Sequence, residues 1–130
     1  MSEENVEVIR SIYDHFNRAG EPKWDLFHAE AVFDASSIPG FDVVRGRDKT
    51  LALIREYAAA FEEWRIELEE IVDAGDRVFA AVRDGGRMKG TRDEIFNSFF
   101  HAWELREGKV VAWRTFQDRE RALEAAGLSE

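Results

Sequence analysis

A hairpin near the end of the chain brings a histidine and an arginine onto one face of a predicted sheet. Glu107-Gly108 suits a two-residue turn between strand-like segments at 94–106 and 109–117. Counting outward from that turn gives four cross-strand pairs on one face: Leu105–Val110, Trp103–Ala112, His101–Arg114 and Phe99–Phe116. Burying an imidazole and a guanidinium among aromatic rings is costly in a dry core. The register therefore predicts a pocket into which His101 and Arg114 point, the alternative being a cross-strand pair balanced by a helix carboxylate such as Asp14.

The opposite face of the same hairpin is also unusually apolar. In this register it pairs Ala102 with Trp113 and places Phe100 beside them. A patch of that kind is rare on the surface of a monomer, and an isologous contact would hide it. We therefore expect a homodimer through the outer sheet face, with Phe100 and Trp113, and either Phe96 or Val111, buried between subunits.

The elements that must position this hairpin follow from hydrophobic periodicity. Apolar residues at helical spacing predict helices at 3–18, 24–31 and 47–63, and Asp118 is placed to cap a short helix at 119–126. Alternating patterns predict strands at 32–35, 64–72 and 77–83 before the hairpin, with connections at 36–46 and 84–93. Helices precede a meander of strands, so the fold class is α+β, with three helices on one face of a curved, mostly antiparallel sheet and a short C-terminal helix.

Composition narrows the classes of partner. The chain has 130 residues, a length typical of one domain, and is 45% hydrophobic. Its net charge of −9 would repel nucleic acid, and no apolar run is long enough to span a membrane. An acidic start unlike a signal peptide leads us to expect a cytoplasmic location. With no cysteine, no spaced cluster of histidines and acids, and no glycine-rich phosphate loop, we expect no metal and no cofactor.

Five motifs resemble the SnoaL-like branch of the nuclear transport factor two-like superfamily along most of the chain. They are NRAG at 17–20, RGRD at 45–48, DAGDRV at 73–78, WELREGKVV at 103–111 and FQDRERALEAAGL at 116–128. The resemblance implies one domain over 1–130, shaped as a cone-like roll with an apolar pocket at its wide end, in which dimers through the outer sheet face are common. The superfamily includes polyketide cyclases, steroid isomerases, epoxide hydrolases and dehydratases, so the resemblance points to a fold more than to one reaction.

Three positions are similar to the catalytic set of the steroid isomerase relatives. Tyr13 matches a tyrosine that donates to the developing enolate oxygen, and Asp34 matches the general-base aspartate. His101 stands where those relatives place a protonated aspartate. A neutral imidazole can donate one hydrogen bond to an oxyanion, and we expect it to titrate near neutral pH, with Arg114 disfavouring the imidazolium.

Each of these residues also has a structural interpretation. Asp34 can be a strand-end residue bonded to the loop at 36–40, and Tyr13 can be a core aromatic with its hydroxyl satisfied. The candidate pocket wall includes Phe99, Trp103 and Phe116 of the hairpin. Six other aromatic residues are at least as easily core as pocket wall: Trp24, Phe27, Phe33, Phe41, Phe61 and Trp64. His15 and His28 are expected to lie at the surface or in helix packing.

The leading hypothesis is a pocket that binds a small apolar or aromatic ligand and acts by acid–base chemistry on a carbonyl compound. In it Asp34 is the base, Tyr13 and His101 donate to the oxyanion, and Arg114 anchors a carboxylate or enolate. The alternative is a non-catalytic ligand-binding or dimeric interaction module in which the same groups only orient a ligand.

Overall fold

The computed structural model describes residues 2–128 and shows an α+β roll. Its helices are α1 (Ser2–Ala19), α2 (Arg47–Ala58) and α3 (Arg119–Ala125), with a 3-10 turn at Trp24–Leu26. Its strands are β1 (Phe27–Asp34), β2 (Val43–Arg45), β3 (Phe61–Ala74), β4 (Arg77–Met88), β5 (Glu94–Arg106) and β6 (Lys109–Phe116). They form one curved sheet in the order β2-β1-β6-β5-β4-β3, antiparallel except for the β1–β6 pair. The predicted fold class is confirmed.

Helix α1 lies across the concave face of the sheet and forms the centre of the core. Its apolar stripe buries Ile9, Ile12 and Phe16 against the strands. At its end, the Asn17 amide donates to the Ile66 carbonyl and its oxygen accepts from the Ile66 amide, both at 2.9 Å. Those two bonds satisfy backbone groups on the free side of edge strand β3, so the helix and the sheet edge are fixed together.

The segment at 24–31 does not form the predicted second helix. Only Trp24–Leu26 forms a helical turn, and β1 begins at Phe27. The segment is a strand because β6 offers backbone partners at Phe27 and at 32–34, and β2 offers partners to 32–34 on the other side. For the same reason the predicted loop at 36–46 contains the short strand β2.

The first half of the predicted connection at 84–93 is also strand. Gly85 and Gly86 lie inside β4 because neighbouring backbones approach too closely for a side chain. A Cβ on Gly85 would sit 1.9 Å from the carbonyl oxygen of Ile95, and one on Gly86 would sit 1.7 Å from that of Glu63. These glycines therefore mark close packing of strands, and Asp84 belongs to the sheet.

The hairpin register is predicted correctly only near the turn. Leu105 pairs with Val110 as expected, but a bulge follows, and Glu104 pairs with Ala112, leaving Val111 as the extra residue. One extra residue moves every later β6 side chain to the opposite face. The predicted inward positions of Arg114 and Phe116 are therefore wrong, as is the outward position of Trp113.

The convex face of the sheet is partly covered by α3. A second apolar cluster joins this helix to β4 and β5: Phe79, Ala81, Ala102, Ala122, Leu123 and Ala126. Asp118 caps the helix by accepting from the Glu120 amide, and Arg119 donates to both carboxylate oxygens of Glu70 at 2.8 and 3.2 Å. Part of the predicted dimer face is thus covered by the chain itself. In the described range, no helix is long and apolar enough to cross a membrane.

Candidate functional site

A cavity of about 120 Å³ opens between the concave face of the sheet, α2 and the loop after β1. Six aromatic residues line it: Phe33, Phe41, Tyr57, Trp64, Phe99 and Trp113. The remaining wall consists of Ala35, Ile38, Leu53, Ile54 and Ile66 together with the polar residues Asp84, His101 and Thr115. An apolar pocket with a few convergent polar groups is the usual form of a small-molecule site.

His101 ends a chain of buried hydrogen bonds that runs from the core to the cavity. The Trp103 indole N–H donates to the Tyr13 hydroxyl oxygen at 2.9 Å, and that hydroxyl lies 2.6 Å from His101 Nδ1. Because the tyrosine oxygen already accepts from Trp103, its own proton is best used by donating to Nδ1. A neutral His101 then carries its proton on Nε2, which has no hydrogen-bond partner among the described residues.

Burial sets the charge state of this chain of groups. Removal from water lowers the pKa of His101 to about 3, and it raises the pKa of Tyr13 well above its usual range. The expectation that His101 titrates near neutral pH is therefore wrong. At physiological pH His101 is a fixed neutral donor.

Asp84 is the carboxylate in the cavity, and the sequence analysis missed it. It shares the concave face of β4 with Val78, Ala80 and Val82 by simple alternation, but the sequence predicts it as the start of the connection at 84–93, which contains three glycines. The Trp64 indole N–H donates to its Oδ1. Extending the alternation of β4 by one more step would have found it.

Desolvation is the main influence on Asp84. It raises the pKa of the carboxyl from 3.8 to about 6, against the opposing effect of the Trp64 hydrogen bond. Such a group is mostly ionised at neutral pH and still basic enough to accept a proton from a weak acid. The Asp84 charge in turn adds to burial in raising the pKa of the nearby Tyr57 hydroxyl.

Asp84 and His101 stand at separate places along the cavity wall. Ala80 pairs with His101, and Asp84 lies four residues farther along β4, a rise of about 13 Å between backbones. Phe99, which pairs with Val82, lies between them. A bound molecule can therefore meet the carboxylate at one end and the imidazole N–H at the other.

Asp34, predicted as the base, does not line this cavity. Its Oδ1 accepts from the Ser36 amide at 2.9 Å and from the Ser36 hydroxyl at 2.6 Å. These two hydrogen bonds form the strand-end turn that was the structural alternative to a role of Asp34 as base.

The other predicted residues fall into three groups. Phe33, Phe99 and His101 line the cavity. Five aromatic residues support it from behind, in the core or packed against it: Tyr13, Trp24, Phe27, Phe61 and Trp103. On the convex face, the side chain of Arg114 forms an ion pair with Glu104 at 3.7 Å, and Phe116 packs against the α3 cluster. Within the described residues, no three histidine or acidic side chains are grouped to hold a metal ion.

The comparisons with known proteins agree with this architecture. The SnoaL-like domain family matches residues 9–113. The chain belongs to the SnoaL-like domain family. A search of curated proteins finds no match.

Solved structures share the fold at low sequence identity. Bal32a from a soil-derived mobile gene cassette is 20% identical, with a TM-score of 0.76 over 88% of each chain. A protein described as a SnoaL-like polyketide cyclase from Jannaschia sp. CCS1 is 16% identical, with a TM-score of 0.76 over 98% of this chain and 94% of the other. An epoxide hydrolase of the LEH-like type from M. tuberculosis is 15% identical, with a TM-score of 0.71 over 95% and 90%. Such likeness shows the fold alone.

Proposed function

We propose that this SnoaL-like domain is an acid–base enzyme acting on a small, uncharged carbonyl compound. The observation that carries the proposal is the cavity itself, where an ionised carboxylate of raised pKa and a neutral imidazole N–H face one apolar space. Asp84 would remove a proton from a ring carbon that is conjugated with the carbonyl and several bonds away from it, and His101 Nε2–H would donate to the oxygen as negative charge develops. The polyketide cyclase and epoxide hydrolase among the structural neighbours fit a fold that supports such chemistry.

Tyr13 and Trp103 act in this proposal by positioning the imidazole. Their hydrogen bonds hold the ring in the tautomer that presents Nε2–H to the cavity. The His101 ring is also packed edge-on against Trp103 and Trp113, with centroids 5.9 and 5.6 Å away. Because the donor is already held in place, little free energy is needed to reorient it when the oxyanion forms.

The size and charge of the cavity define the substrate class. A cavity of ~150 Å³ holds benzene in another protein, so about 120 Å³ suits a single small ring. Arg114 lies on the convex face, so the cavity lacks the cation that was expected to anchor a carboxylate. We therefore favour small cyclic ketones over polycyclic or acidic compounds.

The test is solvent deuterium exchange, measured by NMR, at the ring carbons conjugated with the carbonyl in a panel of small cyclic enones. The wild type should accelerate exchange, and Asp84→Asn should lower the rate by roughly a hundredfold or more. The rate should rise with pH through about 6, where Asp84 ionises, with no second inflection near neutral pH because His101 stays neutral.

Asp34→Asn is the matched comparison, because it removes the other carboxylate considered as the base. We expect exchange by this variant to equal that of the wild type. Loss of exchange in Asp34→Asn with retention in Asp84→Asn would reverse the assignment. Binding of ketones with no exchange in any variant would favour the non-catalytic ligand-binding module.

A further inference from the structure

The cavity combines aromatic walls with a single negative charge. Its six aromatic side chains surround a space in which Asp84 is the one lining residue among those described that is ionised at neutral pH. The carboxylate has one hydrogen bond, from Trp64, and no ion pair within the described part of the chain. A carboxylate so poorly compensated favours an occupant that carries positive charge.

Aromatic rings favour the same kind of occupant. A cation within about 6 Å of a ring centroid is attracted to the π-electron face, and desolvation strengthens that attraction. In a cavity of about 120 Å³, every occupant is close to several walls at once. Alkylammonium groups also keep an apolar surface, so they lose little on leaving water compared with a metal ion.

We propose that the cavity binds a small alkylammonium ion, with Asp84 as its counter-ion and the surrounding aromatic rings as its walls. This goes beyond the proposed function, because such a ligand needs no acidic C–H and no carbonyl oxygen. It predicts that quaternary ammonium compounds occupy the same space as a carbonyl substrate and block access to Asp84.

The pH dependence of cation binding should report Asp84. The groups facing it from other elements are Tyr57 of α2, Trp64 of β3 and His101 of β5, with Tyr13 of α1 behind His101, and all are uncharged at neutral pH. Arg65 and Arg83 of the adjacent strands lie over the ring of Phe96, which is not part of the cavity wall. Affinity for the cation should therefore rise with pH through the range in which Asp84, with its pKa of about 6, loses its proton.

The test is calorimetric titration with choline and with neohexyl alcohol, in which carbon replaces the quaternary nitrogen. The two molecules have the same shape, so a difference in affinity reports the positive charge. At pH 7.5 the wild type should bind choline about tenfold or more tightly than the alcohol. Asp84→Asn should reduce this preference to less than about threefold. Asp93→Asn removes an exposed carboxylate that is not part of the cavity lining, with the same change in net charge, and should behave as the wild type.

The wild type at pH 5 provides a test that does not depend on the variant folding, because protonated Asp84 should also lose the preference for choline. Equal affinity for choline and the alcohol at pH 7.5, a preference unaffected by Asp84→Asn, or no binding of either at millimolar concentration would overturn the proposal. Deuterium exchange without cation binding would leave the proposed function standing alone. Cation binding without deuterium exchange would support the cation site and contradict the proposed function.

Discussion

Asp84 is a single buried carboxylate whose charge lowers the stability of the folded protein. Its pKa is raised in the folded state, so the folded protein binds the proton more tightly than the unfolded chain does. Ionising it therefore destabilises the fold as pH rises from about 4 to about 6. A shift of this size corresponds to a free energy on the order of 2–3 kcal/mol.

We predict that Asp84→Asn raises the free energy of unfolding relative to the wild type above pH 6, because the amide keeps the shape and removes the buried charge. The gain should be absent near pH 4 and reach a plateau of about 2 kcal/mol above pH 6. Urea unfolding of both proteins across this range measures it. A constant difference at every pH would show that Asp84 is not titrating in this window.

Tyr13 has a different role, because its hydroxyl satisfies two buried groups at once. Tyr13→Phe leaves both the Trp103 N–H and His101 Nδ1 without a partner. Each buried group left unpaired costs about 1–3 kcal/mol, so we predict a loss of roughly 2–4 kcal/mol in urea unfolding. Tyr57→Phe is the control: its hydroxyl has no hydrogen bond within the described part of the chain, and it should change stability by less than about 0.5 kcal/mol. Similar losses in the two variants would contradict the hydrogen-bond assignment.

At the level of elements, the cavity depends on two adjacent strands that come unusually close together beside Asp84. We predict that Gly85→Ala destabilises the protein by more than 3 kcal/mol, since its Cβ would overlap the Ile95 backbone. Gly90→Ala, at a turn with a φ of 83° and open space around it, should cost only about 1 kcal/mol. Thermal unfolding of the two variants compares them directly. Equal melting temperatures would show that β4 and β5 can separate without cost.

Local patterns predicted most of these elements, and long-range pairing decided the rest. The apolar stripe of α1 and the Glu107-Gly108 turn are visible in the sequence because each is set by neighbouring residues. The bulge at Val111 is not visible, since it depends on how β6 fits between β5 and β1. Because of that one residue, Trp113 faces the cavity, where the sequence predicted Arg114.

The same limit explains why Asp84 was missed while His101 was found. The bulge lies in β6, so the alternation along β5 from Leu105 through Trp103 still places His101 on the concave face, although it pairs with Thr115. Asp84 is followed by glycines, which in a local pattern indicate a connection. In the structure these glycines lie where β4 closely approaches β3 and β5. Its role depended on contacts with residues far away in the sequence.

For the molecule as a whole, the convex face of the sheet divides into a covered and an uncovered part. The α3 helix covers Phe79 and Ala102, whereas Phe96 lies beyond it, between the guanidinium groups of Arg65 and Arg83. Ile95, the preceding residue, is 51% exposed and points to the other face of the strand. The expected dimer contact therefore shifts away from Trp113, which is buried on the concave side, toward the uncovered end of β5.

We predict that the protein is a homodimer through this uncovered end, because the half-buried ring of Phe96 lies on the part of the convex face that α3 leaves open, where an isologous contact would cover it. Light scattering at micromolar concentration should give twice the chain mass of 15.0 kDa. Phe96→Glu should reduce the mass to that of one chain without loss of secondary structure, since Phe96 is outside both apolar clusters. Thr91→Glu, an exposed change in the neighbouring turn, should leave the dimer intact. A wild type that scatters as one chain, or a Phe96→Glu variant that stays dimeric, would place the contact elsewhere or remove it.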